Sequence, residues 1–176
     1  HDGPLPRYAG LNAPVWALLH REPTHGITFH LIEGGIDEGD ILAQRTFELA
    51  PNETCLTLNT RCYEVAIDAF GDVADMLGRW ELVRVPQDLS QRSYFAKDQR
   101  PEGGCTLDFT RSAEDVSALV RALDHGRYPN PVGTSKVVLA SGALLLGDVT
   151  HAAQSTSAAP GPLVALDEQG LEVATA

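Results

Sequence analysis

The stretch from Pro51 to Leu77 limits more than any other what this chain can become. Pro51-Asn-Glu-Thr54 carries helix-start signals, and Leu56, Leu58, Cys62, Val65, Ala66, Ala69, Phe70, Val73, Met76 and Leu77 follow at three- and four-residue steps. That spacing puts an apolar stripe on one face of a single long helix. Such a helix has to lay its stripe on another layer, so a strand-containing core beside it is expected. With 176 residues the chain suffices for one ordinary domain, or for a compact core with a small appendage. No apolar run approaches the roughly 18 residues that a membrane span requires.

Upstream, Gly26-Ile-Thr-Phe-His-Leu-Ile32 reads as a strand of β-branched and aromatic residues, followed by a tight loop from Glu33 to Gly39 and a short strand from Gly39 to Phe47. The opening His1-Asp-Gly-Pro-Leu-Pro-Arg-Tyr-Ala-Gly10 reads as an irregular loop, because proline fixes φ and removes donors. Asn12 to Leu19 follows as a short helix with Pro14 in its first turn, and Tyr8 and Trp16 as packing groups under the loop. Glu81 to Gly104 turns to Pro, Gln, Arg, Ser and Asp without periodicity and reads as a linker on the surface. Ser112-Ala-Glu-Asp115 has capping-box spacing and starts a helix to Leu123. Short runs at Ser135–Ala140, Ala143–Val149, Leu163–Leu166 and Leu171–Ala174 then suggest a small antiparallel sheet or barrel. The boundaries expected are a core over 1–86, a linker over 87–104 and a small subdomain over 105–176.

Charge narrows the partners. Thirteen Lys+Arg against 24 Asp+Glu give a net charge of −11. Before Pro86 there are 6 basic and 13 acidic residues, and after it 7 and 11, so both parts are acidic. Long-range forces therefore oppose nucleic acid and anionic membranes, and no basic run supplies a local exception. Cys55, Cys62 and Cys105 are an odd number without CxxC spacing, which reads as reduced thiols in a cytoplasmic protein, and no metal site is expected. The Asp37-Glu38-Asp40 cluster lacks the alternating ligands of a calcium loop. The chain opens on His1 without a signal-peptide pattern, and is expected to begin inside a longer protein.

Three residues among the first forty could carry chemistry: His1, His30 and Asp37. An imidazole beside a carboxylate can act as an acid–base pair, although by spacing alone a loop histidine is as readily a surface group and an aspartate in a glycine loop caps its own backbone. His30 can equally be a hydrogen-bonded strand residue. His20, His25, His125 and His151 show no arrangement that suggests chemistry.

Taken together, two motifs resemble the formyltransferase family that uses 10-formyltetrahydrofolate. His1-Asp-Gly-Pro-Leu-Pro6, with Arg7-Tyr-Ala-Gly10, Pro14 and Trp16, resembles that family's Asn-x-His-x-Ser-Leu-Leu-Pro loop from the histidine onward. Gly26-Ile-Thr28-Phe-His30 through Ile36-Asp37-Glu-Gly39 resembles its Gly-x-Thr-x-His strand followed by Asp-x-Gly. Lys97, Asp108, Phe109 and Ser112 to Leu123, and Pro160 to Thr175, are similar to the small C-terminal domain of methionyl-tRNA formyltransferases.

The resemblance implies an α/β fold: the C-terminal part of a Rossmann-like formyltransferase core, followed by a small α+β or barrel-like subdomain. It implies acyl transfer, in which a primary amine attacks the formyl carbon of 10-formyltetrahydrofolate. His1 would be donor and proton carrier, with Asp37 beside it favouring the imidazolium and helping to place a water. Glu33, Gly34, Gly35 and Ile36 would face the folate through backbone groups. The family's asparagine falls two positions before His1, and the N-terminal part of its sheet has no counterpart, so this chain by itself is expected to be inactive.

The opening twelve residues and Leu58-Asn-Thr-Arg-Cys62-Tyr-Glu look most like formyltransferase domains of nonribosomal peptide synthetases. The expected acceptor is an aminoacyl group on a carrier protein, or another small amine, in a larger multidomain chain. Methionyl-tRNA, an amino sugar, or a non-catalytic interaction module on the same fold remain as alternatives.

Overall fold

The structure, a computed structural model, describes residues 1–150, 152, 155–167 and 170–176. Eight strands and three α-helices follow in the order β1 (Ala9–Gly10), α1 (Ala13–Leu19), β2 (Thr24–His30), β3 (Ile41–Glu48), α2 (Cys55–Arg79), β4 (Tyr94–Phe95), α3 (Ala113–Leu123), β5 (Lys136–Leu139), β6 (Gly142–Leu145), β7 (Leu163–Asp167) and β8 (Gly170–Val173).

The expected long helix forms. Thr54 caps it by accepting from the Thr57 amide, and the Thr57 hydroxyl side chain answers the Thr54 amide. Its stripe is buried at Leu58, Cys62, Ala69 and Val73, while Ile67, Phe70 and Leu77 remain exposed along its second half. The Ser112 hydroxyl caps α3 by accepting from Asp115. Helix α1, with Pro14 in its first turn, buries every residue from Ala13 to Leu18.

One core joins the two ends of the chain. Val15 and Leu18 of α1, Ile27 of β2 and Leu58 of α2 pack with Ala122 and Leu123 of α3 and with Val132. The antiparallel β2–β3 hairpin lies against α2, with Ile27 opposite Arg45 and Thr28 opposite Gln44. Strand β2 ends at His30, earlier than expected: Leu31 turns to donate to Asp40, and Ile32, expected inside the strand, is 100% exposed. Gly39 makes that turn possible, since a Cβ there would sit 1.9 Å from the Leu31 carbonyl oxygen.

The stretch expected as a surface linker enters the core at Phe95. Strand β4 runs parallel to β1, with Gly10 opposite Phe95. The Phe95 ring stacks on Trp16 at 4.8 Å and on Tyr8 at 5.5 Å between centroids, so one aromatic layer supports the opening loop. Hairpins β5–β6 and β7–β8 are separate two-stranded ladders among the described residues. His151, and Gln169 in the expected Gln-Gly turn, lie outside the described residues.

Candidate functional site

The opening loop is fastened to β2 by one buried threonine. His1 and Thr28 exchange two backbone hydrogen bonds, at 2.9 and 2.8 Å. The Thr28 hydroxyl donates to the Gly3 carbonyl and accepts from the Leu5 amide and from Gln44 Nε2. This fixes His1 over the end of β2, two residues before His30.

Asp37 draws the loop, the strand and β1 together. Its Oδ2 accepts the Gly10 amide at 2.7 Å and faces His1 Nδ1 at 3.5 Å, while Oδ1 faces His30 Nε2 at 3.4 Å. The three side chains are 7%, 16% and 14% exposed for His1, Asp37 and His30, which limits screening by solvent. The far nitrogen of each ring meets a carbonyl: His1 Nε2 lies 2.9 Å from the Tyr8 oxygen, and His30 Nδ1 2.9 Å from the Leu31 oxygen. A carbonyl can only accept, so those two nitrogens carry the hydrogens. A second proton on either ring then points at Asp37.

Gly10 reaches the carboxylate because nothing larger fits. A Cβ there would lie 2.2 Å from the Phe95 carbonyl oxygen, and its φ of +94° is one that side-chain-bearing residues rarely adopt.

The cleft of about 640 Å³ that His1 and Asp37 line also holds a thiol–imidazole pair. Cys55 Sγ lies 3.4 Å from His125 Nε2, and Asn59 Nδ2 donates to the same sulfur at 3.3 Å. His125 Nδ1 faces the Leu123 carbonyl at 3.3 Å and carries the ring hydrogen, so Nε2 is left to accept from the thiol. Burial pushes the Cys55 thiol up to about 12, and the charge of Asp2 adds to the shift. The thiol–imidazole pair itself is neutral. Lys97 and Tyr94 also line the cleft.

Of Glu33, Gly34, Gly35 and Ile36, expected to face the folate, only Ile36 lines the cleft. Glu33 pairs with Arg84 at 2.5 Å, and the Gly35 amide donates to Glu38. Gly34 and Gly35 are exposed on the outer side of the turn. The sequence names Thr28 and Gly10 within its motifs without a role for them, and gives no sign of the Cys55–His125 pair or of the two residues that hold Asp37 from the 81–93 segment, Gln87 and Arg92. The last two sit in a polar stretch with no periodic signal. Among the described residues no group of three histidine, cysteine or carboxylate side chains is arranged to hold a metal ion, and no helix is long and apolar enough to cross a membrane.

The architecture is that of the formyltransferase fold. HypX from Aquifex aeolicus, solved in complex with tetrahydrofolic acid, superposes with a TM-score of 0.74 at 20% identity, covering 99% of this chain and 29% of that one. An N-formyltransferase from Helicobacter canadensis, solved with folinic acid and dTDP-3-aminofucose, gives 0.62 at 23% identity, covering 69% of this chain and 45% of that one. In sequence, a methionyl-tRNA formyltransferase of Geotalea daltonii is 29% identical over 174 residues, 99% of this chain. The chain spans about half, 53%, of that relative's length. The formyl transferase family model matches residues 1–73, the segment that holds His1, His30 and Asp37.

Proposed function

We propose that this chain supplies part of the active site of an enzyme that moves a formyl group from 10-formyltetrahydrofolate to a primary amine. The observation that carries the reading is the His1–Asp37–His30 cluster at the edge of the cleft, inside the matched segment. The folate brings an activated formyl group. The amine nitrogen bonds to the formyl carbon, the bond from that carbon to the folate nitrogen breaks, the amine gives up one proton and the folate nitrogen receives one.

His1 and Asp37 are placed to carry those protons. As His1 stands, Nε2 is bonded to the Tyr8 carbonyl and Nδ1 faces Asp37, so donating to a substrate oxygen requires the Tyr8 bond to be exchanged for it. His30 holds the second oxygen of Asp37, which leaves that carboxylate oriented while His1 moves. The cleft volume lies within the range of small-molecule sites, and its lining of Gly10, Leu11, Asn12 and Ile36 beside Asp37 offers apolar and backbone surface for a ring system.

The acceptor we favour is an aminoacyl group on a carrier protein. A net charge of −11, spread over both parts of the chain, disfavours a surface that grips tRNA phosphates. The 29% identity over 174 residues to a methionyl-tRNA formyltransferase supports tRNA as a second reading. The test is to give the full-length protein 10-formyltetrahydrofolate with an aminoacyl carrier protein, methionyl-tRNA or an amino-sugar nucleotide, and to read the product mass. Formylation of the carrier-bound amine is expected. Formylation of tRNA or sugar alone would replace the acceptor, and no product with any of them would remove the enzymatic reading.

A further inference from the structure

Asp37 has a φ of +57°, in the left-handed region that residues with a Cβ seldom occupy, so its surroundings must hold it there. Both peptide groups that flank its Cα are held by one segment. Arg92 Nη2 donates to the Ile36 carbonyl at 2.8 Å, on the near side, and Gln87 Nε2 donates to the Asp37 carbonyl at 2.9 Å, on the far side. The second hydrogen of Gln87 Nε2 goes to the Gly39 carbonyl at 2.6 Å.

These bonds fix which way the Gln87 amide points. Turned over, its oxygen would face two carbonyl oxygens. The cost of the observed orientation is visible, because Gln87 Oε1 is buried with no hydrogen-bond partner. Segment placement explains the reach: Val85 and Ile41 exchange two backbone bonds, at 2.8 and 2.9 Å, which lays residues 84–87 along the start of β3. Arg84 adds ion pairs to Asp40 and Glu33.

We propose that Gln87, backed by Arg92, is a positioning residue for Asp37 in the transfer reaction. The inference rests on the formyl-transfer reading above. Gln87 touches neither imidazole. It acts by fixing the peptide planes on which the carboxylate's direction depends, and so decides whether both histidines and the Gly10 amide can face it at once.

The test compares Gln87→Leu, which removes both donors, and Gln87→Glu, which sets an acceptor against two carbonyls, with Gln91→Leu as control. Gln91 lies in the same segment, is exposed and meets only the Ser90 hydroxyl at 3.4 Å. In the full-length protein both Gln87 variants are expected to lower kcat about 10- to 100-fold, as a misplaced catalytic group does, while KM for 10-formyltetrahydrofolate stays within about twofold. Gln91→Leu leaves both unchanged. Should the two Gln87 variants fail to fold, Gln87→Asn keeps the amide one methylene short and is expected to act in the same direction with a smaller drop.

A second readout does not need turnover. The Gly10 amide proton, bonded to Asp37 Oδ2, is expected to resonate downfield and to move upfield in each Gln87 variant but not in Gln91→Leu. An unmoved Gly10 resonance, or an unchanged kcat, overturns the proposal. If the unaltered protein formylates no acceptor, the formyl-transfer reading fails and the Gly10 resonance alone decides whether Gln87 positions Asp37.

Discussion

Two clusters at the cleft use the same kind of residue for opposite ends. In one, His1 and His30 each present a nitrogen to Asp37 while a backbone carbonyl holds the other. In the other, His125 faces a thiol, and its second nitrogen again meets a carbonyl. What differs is the third group. A carboxylate favours an imidazole that takes up and gives back a proton, whereas a buried thiol asks only for an acceptor and leaves the pair neutral. An imidazole in a cleft is therefore not a site until its partner is known.

Asp37→Asn is expected to have the largest effect. It keeps the shape and the Gly10 contact but removes the charge that both imidazoles face, and kcat in the full-length protein should fall about 10²- to 10⁴-fold, the range general acid–base groups contribute. The thermal midpoint should change little. If turnover stays near normal, the charged cluster is structural and the comparison collapses.

The neutral thiol–imidazole pair is tested through its sulfur. Burial pushes both Cys55 and Cys62 up to about 12, so neither is a thiolate at neutral pH. Iodoacetamide at neutral pH should modify them at least about tenfold more slowly in the native chain than in urea, because the thiolate is the reacting form. The sign for stability follows: the folded state holds these thiols neutral while the unfolded chain ionises them near the ordinary value. Their contribution is complete below the unfolded value of 9.0 and is lost as pH rises from there towards 12. Urea midpoints should fall across that window, and less in Cys55→Ala. Rapid native alkylation of Cys55 would show that this pair is not neutral.

Much of this was readable in the residues, for reasons that differ by element. Helices α2 and α3 announce themselves because their caps, Thr54 and Ser112, and their apolar steps are local. Phe95 does not, since a two-residue strand has no period and its burial is created by Tyr8 and Trp16, some eighty residues away in sequence. The apolar stripe of α2 calls for a covering layer, and the exposed Phe70 and Leu77 show that periodicity reports which residues share a face and not what covers them. In the site, His1 and Asp37 were reached through motif order. The placement of Glu33, Gly34 and Gly35 on the outer turn was not, because glycine spacing gives a loop its freedom without its direction. Gln87, Arg92 and the Cys55–His125 pair depend on contacts across 50, 56 and 70 positions, and no local pattern encodes such pairs.

His25 shows what β2 does to an imidazole that forms no ion pair among the described residues, and it gives the smallest expected effect. It lies five residues before His30 on the same strand, is 0% exposed, and bonds the Asp2 carbonyl through Nε2 at 2.8 Å while Nδ1 finds no partner. Burial lowers its pKa, against smaller opposing contributions from Asp2 and Glu22. The unfolded chain then binds a proton below the ordinary value of 6.5 that the folded state resists. Stability owed to neutral His25 is present above that value and is lost as pH falls below it. Urea midpoints measured downward from neutral pH should decline more steeply for the unaltered chain than for His25→Gln, which cannot be protonated but keeps a donor for Asp2. Equal slopes would mean that His25 takes up its proton as easily folded as unfolded, and that burial alone does not separate the neutral imidazoles of this chain from the pair that faces Asp37.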